Sequence, residues 1–235
     1  MEVRSGGRGI LQGLANRRLF WDLFLGPVYN RMIGWALSDA YIRFADMINP
    51  AQHSSVLDVG SGPGFLCFIL AERNTTVSIT GIDYSRTEVR NALKRLGKRG
   101  LRNCDFRVGN AMDLPFPDSS FDTVISFASI KHWPDKVRGL REIRRVLAPA
   151  GTALVLEANR ECTDDEFKNF TTAFKRWWVY MRLFSWYARI ITVDQGLTPD
   201  EFRRYAREAG FDEIEVEKVA GGPFIFMTLQ GAVAE

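Results

Sequence analysis

Histidine and cysteine are scarce in this chain: two histidines and three cysteines among 235 residues. Cys67, Cys104 and Cys162 stand at scattered positions, a pattern that suggests neither a disulfide framework nor a metal site. His53 and His132 form no ligand-spaced cluster with them, so no metal is expected. Reduced thiols suit a cytoplasmic setting. Long apolar runs are missing too. The longest, residues 219–234, is broken by glycines and a proline and falls short of the ~20 residues that span a bilayer. Arg4 and Arg8 precede no clear apolar region or cleavage site, so no signal peptide is read. A net charge of +3 is too small to argue for a nucleic-acid partner. There is no internal repeat and no low-complexity stretch. What remains is ordinary for a soluble globular protein, 46% hydrophobic and 25% charged, and long enough for one well-buried α/β domain.

Glycine is where the chain becomes specific. Residues 56–64 read Val-Leu-Asp-Val-Gly-Ser-Gly-Pro-Gly, a buried-strand pattern running into three glycines on alternate positions. A helical apolar pattern starts at Phe65, so the glycines form a strand-to-helix turn. In open α/β sheets ligands bind at such turns, beside helix N-termini whose N–H groups attract negative charge. A dinucleotide fingerprint would need glycine at position 65, which is Phe65, and a P-loop would need a Gly-Lys-Ser/Thr ending, which is absent. The turn taken alone leaves the cofactor open.

A second strand, Thr76–Ile82, ends at Asp83. An acidic residue at the tip of the second strand, about 20 residues beyond the glycines, can accept from both ribose hydroxyls. The competing reading of Asp83 is an N-cap for the helix that follows. The segment 108–121, Val-Gly-Asn-Ala-Met-Asp-Leu-Pro-Phe-Pro-Asp-Ser-Ser-Phe, adds a third piece.

With these segments in order, together with Phe121–Ser126 and Leu140–Gly151, the chain resembles the class I S-adenosylmethionine-dependent methyltransferases. The likeness runs from about Tyr29 to Phe211 and is strongest to the small-molecule group that includes the ubiquinone/menaquinone C-methyltransferases. The resemblance implies S-adenosyl-L-methionine as cofactor. It gives Gly60 and Gly62 the methionine part of the cofactor, with Asp58 orienting the loop and reaching the amine through water. Asp83 would hold the ribose and Tyr84 would pack on the adenine. Asn110, where the family usually has Asp, would accept from the adenine amine; the Ala111 N–H would meet a ring nitrogen, and Met112 would cover the other face. Ser126 would face the methionine group. Tyr29 matches the Tyr of a closing Tyr-Asp-x-Met segment, although Asn30 follows it here. Met112, Tyr29 and Ser126 each also read as ordinary packing residues.

The resemblance implies a Rossmann-like, doubly wound seven-stranded sheet, mostly parallel with an antiparallel last strand. One methyltransferase domain is expected: a helical cap over 1–50, a cofactor-binding core over 51–159, a lid over 160–197, and a C-terminal helix and strands over 198–235. Strands are expected near 77–82, 105–108, 123–127, 152–157, 213–219 and 224–229, after the first at 56–59. Helices are expected at 85–98, 134–147 and 199–209. Thr198, Pro199 and Glu201 form a capping box with Pro at the first helical position, and Gly210 terminates that helix.

Residues 160–196 belong to this chain's own identity. Thr163 and Glu166 form another capping box. Phe167, Phe170, Phe174, Trp177, Trp178, Met181 and Phe184 follow helical spacing, beside a basic stripe of Lys168, Lys175, Arg182 and Arg189. Phe170, Phe174, Trp177, Trp178 and Met181 are the expected substrate lid, excluding water over an apolar or aromatic acceptor. Core packing for the aromatics and a solvated face for the cations compete with that reading. A third alternative is peripheral membrane contact through residues 164–190.

Methyl transfer needs a base only if the acceptor must lose a proton, and His132 lies where such a base could stand. His53 reads as a surface loop residue. The function expected is methyl transfer by in-line displacement to a small apolar or aromatic acceptor, with no nucleic acid involved: strand four ends in Ser-Phe-Ala-Ser, not Asn/Asp-Pro-Pro-aromatic. Quinone C-methylation itself is less supported, because residues 127–135 lack that subgroup's usual signature. The alternatives are a non-catalytic cofactor-binding or membrane-associated protein and, further off, a nicotinamide-dependent oxidoreductase.

Overall fold

The computed structural model describes residues 38–172, 189 and 193–231. Helix α1 (Ser38–Ile48) leads into β1 (Ser55–Val59), α2 (Phe65–Arg73), β2 (Ser78–Asp83), α3 (Arg86–Arg99), β3 (Cys104–Val108) and β4 (Phe121–Phe127). A short 3₁₀ turn (Ile130–His132) precedes α4 (Lys136–Val146), β5 (Leu147–Ala158), α5 (Asp164–Thr172), α6 (Pro199–Glu208), β6 (Ile214–Lys218) and β7 (Phe224–Gln230). The seven strands form one sheet in the order β3-β2-β1-β4-β5-β7-β6. β1 to β5 pair in parallel, and β7 lies antiparallel between β5 and β6. This is the doubly wound sheet expected, with its antiparallel last strand.

Alternation along β1 shows how both faces are covered. Val56 packs with α1, α2 and α3 in one apolar cluster, while its neighbour Leu57 packs with α4 and α6 in the other. Full burial of such a side chain stabilises by ~1.5–3 kcal/mol, so a central strand that is apolar on successive residues is fixed between two helical layers. Strand order reverses at β1, which has β2 on one side and β4 on the other. The crevice of such a sheet opens there, outside the carboxyl ends.

Local chemistry sets the helix starts. Helix α3 is capped by Ser85, whose hydroxyl accepts from the Glu88 amide at 3.3 Å. The cap is therefore Ser85, not Asp83. Helix α4 begins two residues later than its sequence pattern indicates, because Asp135 after Pro134 accepts from the Arg138 amide at 2.9 Å. Both capping boxes form. Thr163 and Glu166 exchange hydrogen bonds of 3.2 and 2.7 Å, and Thr198 and Glu201 exchange bonds of 3.1 and 3.0 Å. Among the described residues no helix is long and apolar enough to cross a membrane.

Candidate functional site

The glycine turn is stitched to the end of β2. The Gly60 and Ser61 amides both donate to the Ile82 carbonyl, at 2.8 and 3.0 Å. The Gly62 amide donates to Asp83 Oδ2 at 2.8 Å, and the Ser85 amide to Asp83 Oδ1 at 2.8 Å. Asp83 thus clamps the loop and the start of α3 together. Gly60 has φ +81° and Gly62 φ +52°, the left-handed region that glycine enters without penalty. A Cβ on Gly60 would fall 1.9 Å from Ser129 Oγ, so the loop presses directly on the turn after β4. At Gly62 none of the described residues lies within 4 Å of that position.

Beneath the loop sits Asp58, only 2% exposed. Its Oδ2 accepts from Cys67 Sγ at 3.2 Å. Its Oδ1 is buried with no hydrogen-bond partner among the described residues, as is Ser61 Oγ. Burial raises the Asp58 pKa to about 7, against the lowering effect of the Cys67 hydrogen bond, and the nearby Asp83 charge raises it further. A cation or hydrogen-bond donor arriving at the crevice would relieve that frustration. Tyr84 projects beside Asp83 with 55% of its surface exposed. The Gly109 amide donates to the Asp83 carbonyl at 3.0 Å and ties the next segment to it. There Asn110 Oδ1 accepts from the Met112 amide at 3.1 Å, so this side chain first shapes its own turn. Ala111 and Met112 are half-buried against the α4 and α6 side of the core.

Ser126 has the structural partner that its packing alternative calls for. It is fully buried, and its hydroxyl donates across the sheet to the Val59 carbonyl at 2.9 Å, bracing β4 to β1. Phe170 packs edge-on against Phe224 with ring centroids 5.3 Å apart, which joins it to an aromatic wall that sequence periodicity did not single out. Tyr41, Phe127, Phe224 and Phe65 make up the rest: Tyr41 lies 4.3 Å from Phe127 and 5.8 Å from Phe65, and Phe127 lies 6.4 Å from Phe224. These rings come from α1, the start of α2, the end of β4 and the start of β7, all at the crevice edge of the sheet. Phe167 is buried with Cys162 and Val193. Arg189 leaves the basic stripe to pair with Asp164 at 2.6 Å and to lie over the Phe167 ring. Tyr29, Phe174, Trp177, Trp178 and Met181 lie outside the described residues.

Beyond β4 and β5 lies a buried pair, Lys131–Glu157, that no sequence pattern announced. Glu157 is fully buried at the end of β5, and it accepts from Lys131 Nζ at 3.1 Å, from the Lys131 amide at 3.0 Å and from its own neighbour's amide, Ala158, at 2.7 Å. This fixes the 3₁₀ turn that carries His132. Trp133 Nε1 donates to Ser129 Oγ at 3.1 Å, so the same turn is held where it meets Gly60. Burial first, and then the charges of Lys131 and Lys136, keep the His132 pKa well below its ordinary 6.5. His53 lies in an exposed loop at φ +62°.

A methyltransferase-domain family model matches residues 50–210. The chain is 33% identical over 192 residues to the ubiquinone/menaquinone biosynthesis C-methyltransferase of Rickettsia bellii, covering 74% of each protein. It is 34% identical over 138 residues to the chloroplastic 2-methyl-6-phytyl-1,4-hydroquinone methyltransferase of Arabidopsis thaliana, covering 57% of this chain and 39% of that protein. Among solved structures, the fold matches an S-adenosylmethionine-dependent methyltransferase from Aquifex aeolicus with a TM-score of 0.62 at 19% identity, over 84% of this chain and 91% of that one. Sheet order, glycine turn and sequence likeness agree: the chain belongs to the class I methyltransferases, with S-adenosyl-L-methionine as its methyl donor.

Proposed function

We propose that this enzyme methylates a small apolar or aromatic acceptor, and that the acceptor lies against the aromatic wall at the carboxyl ends of β4 and β5. The observation that carries this reading is the wall itself: Tyr41, Phe65, Phe127, Phe170 and Phe224 converge beside the glycine turn. Tyr41, Phe127 and Phe224 are themselves only 5–6% exposed, so the acceptor meets the rim of this cluster, where ring contacts are worth ~0.5–1.5 kcal/mol each. The two relatives quoted are both named for quinone or hydroquinone methylation, which supports a ring-bearing acceptor.

The donor side follows from the residues that fit it. Gly60 and Gly62 admit the cofactor's methionine part, and the buried free oxygens of Asp58 and Ser61 meet its polar atoms. Asp83, at the tip of β2, accepts from the ribose hydroxyls, Tyr84 covers the adenine, and Asn110, Ala111 and Met112 line its edge and other face. When bound, the cofactor supplies an electrophilic methyl group and its own leaving group. The chain supplies alignment and dryness, effects worth on the order of 7–11 kcal/mol when reacting groups are well oriented. His132 is held neutral, the protonation state a base needs, and would take the proton from a hydroxyl, amine or activated ring carbon.

The test is transfer from S-adenosylmethionine with an isotopically labelled methyl group to a panel of quinols, phenols and aliphatic amines, read by mass spectrometry. Labelled quinol or phenol product is expected. Label confined to the aliphatic amines would overturn the acceptor class.

A further inference from the structure

A polar pocket of about 250 Å³ opens beside the turn at Ile130–His132. Lys131, Lys136, Arg160, Asp194, Glu201 and Tyr205 line it. Its walls come from the start of α4, the start of α6, the residues after β5 and the loop at 194–197, which puts it at the carboxyl ends of β4 and β5 on the α4 and α6 side of the sheet. Two of its three cations are already spent. Lys131 is tied to Glu157, with side chains only 5% and 0% exposed, and Arg160 is tied to Glu201. Glu201 is also engaged by the Thr198 amide at 3.0 Å.

Lys136 differs. Its Nζ donates to the Trp133 carbonyl at 3.0 Å, and among the described residues no carboxylate lies within ion-pair distance of it. An ammonium carries three donors. A half-buried cation whose one hydrogen bond goes to a neutral partner loses hydration that distant carboxylates only partly offset. Burial accordingly lowers its pKa, against the pull of Glu157 and Glu201. Asp194 lines the same pocket and likewise has no ion pair among the described residues. Its complement in a ligand is a hydroxyl or ammonium, not a second anion.

We propose that this pocket is an acceptor subsite: Lys136 takes an oxyanion of the substrate, a carboxylate or a phosphate ester, and Asp194 accepts from a neighbouring hydrogen-bond donor. The inference rests on the reading that the acceptor is a small ring-bearing molecule, and narrows it to a hydroxylated aromatic acid or its phosphorylated counterpart. The charged end of that acceptor lies in the polar pocket.

The experiment uses the full chain loaded with S-adenosylhomocysteine and follows the backbone amides of Gly196 and Leu197, both in the pocket lining, by NMR. The probes are meta-hydroxybenzoate, its neutral amide meta-hydroxybenzamide, and phenyl phosphate. Saturable shifts are expected with meta-hydroxybenzoate or phenyl phosphate, the tighter of the two naming the source of the oxyanion. The amide should bind at least about tenfold more weakly, the value of one charge-assisted hydrogen bond. Lys136→Met and Lys136→Gln should show the same loss for the acid while still binding S-adenosylhomocysteine. Equal binding of acid and amide, unchanged acid binding in both Lys136 variants, or no shift at Gly196 and Leu197 with either anion would each overturn the subsite. The comparison of acid with amide needs no variant and stands even if a substitution impairs folding. Anion binding at Gly196 without methyl transfer to any ring-bearing acceptor would retain the subsite and remove the aromatic-acceptor reading.

Discussion

The part of the crevice around β1 and β2, where we propose the donor binds, and the part around β4, β5 and α6, where we propose the acceptor binds, are built from different materials. Around β1 and β2 the work is done by backbone: amides of Gly60, Ser61 and Gly62 meet the carbonyl of Ile82 and the carboxylate of Asp83. Around β4, β5 and α6 it is done by charged side chains joined across the chain, Lys131 to Glu157 and Arg160 to Glu201. A backbone-built site suits a cofactor that is the same in every member of a family. A side-chain-built site can change its ligand through single substitutions. The difference teaches where this enzyme's identity lies.

The sharpest way to break the comparison is at the buried pair. Removing one partner strands a charge in the interior, a cost of ~3–5 kcal/mol. Lys131→Met is expected to lose stability of that order in chemical denaturation, and the double variant Lys131→Met/Glu157→Gln should recover part of it. If Lys131→Met unfolds at the wild-type midpoint, the pair does not hold the acceptor turn.

Next comes the contrast within the glycine turn. Gly60→Ala faces both a positive φ and a Cβ 1.9 Å from Ser129 Oγ, whereas Gly62→Ala faces the φ alone. Positive-φ strain costs ~1–3 kcal/mol, and the clash adds to it. Gly60→Ala should therefore weaken S-adenosylhomocysteine binding by well over about tenfold and exceed the effect of Gly62→Ala on thermal stability. Equal melting temperatures for the two variants would contradict the close approach of loop and turn.

A smaller effect concerns pH. Burial lifts the Asp58 pKa from 3.8 to about 7 in the folded chain. The folded state then binds more protons than the unfolded state across that interval, so this group's contribution to stability falls as pH rises from 3.8 towards 7 and is level above it. A cationic ligand favours the carboxylate form. Cofactor affinity should climb through neutral pH with release of a proton, and Asp58→Asn should flatten the profile. Calorimetry in buffers of different ionisation enthalpy reads that proton directly, and its absence would contradict the assignment. Smallest of all is Arg189→Ala. Its pair with Asp164 is 35% and 92% exposed, so the change should cost no more than ~1 kcal/mol. A larger loss on denaturation would make residue 189 part of the core.

The two halves also differed in how far they could be read from sequence. Glycines at 60, 62 and 64 and an acid at 83 are local signals, because a backbone turn and the tip of the next strand occur at fixed chain distances. All seven strands were legible for the same reason, as were the capping boxes at Thr163 and Thr198. Lys131–Glu157 and Arg160–Glu201 join residues 26 and 41 positions apart, and no periodicity links such partners before the sheet is assembled. The bracing role of the Ser126 hydroxyl was not legible, because its acceptor, the Val59 carbonyl, becomes a neighbour only through β1–β4 pairing. Phe170 sat on a legible helical face, but the ring it meets, Phe224, comes from the far strand β7.

If the donor binds in the backbone-built half, as we propose, its binding is separable from that of the acceptor. Isothermal titration of S-adenosylhomocysteine into wild type, Asp83→Ala and Lys136→Met tests it in one comparison. Asp83 contributes a charged acceptor and the clamp on Gly62, interactions worth about 1.5–3 kcal/mol each. The account predicts at least about tenfold weaker binding to Asp83→Ala and wild-type affinity for Lys136→Met. Unchanged affinity in Asp83→Ala, or an equal loss in both variants, would contradict it.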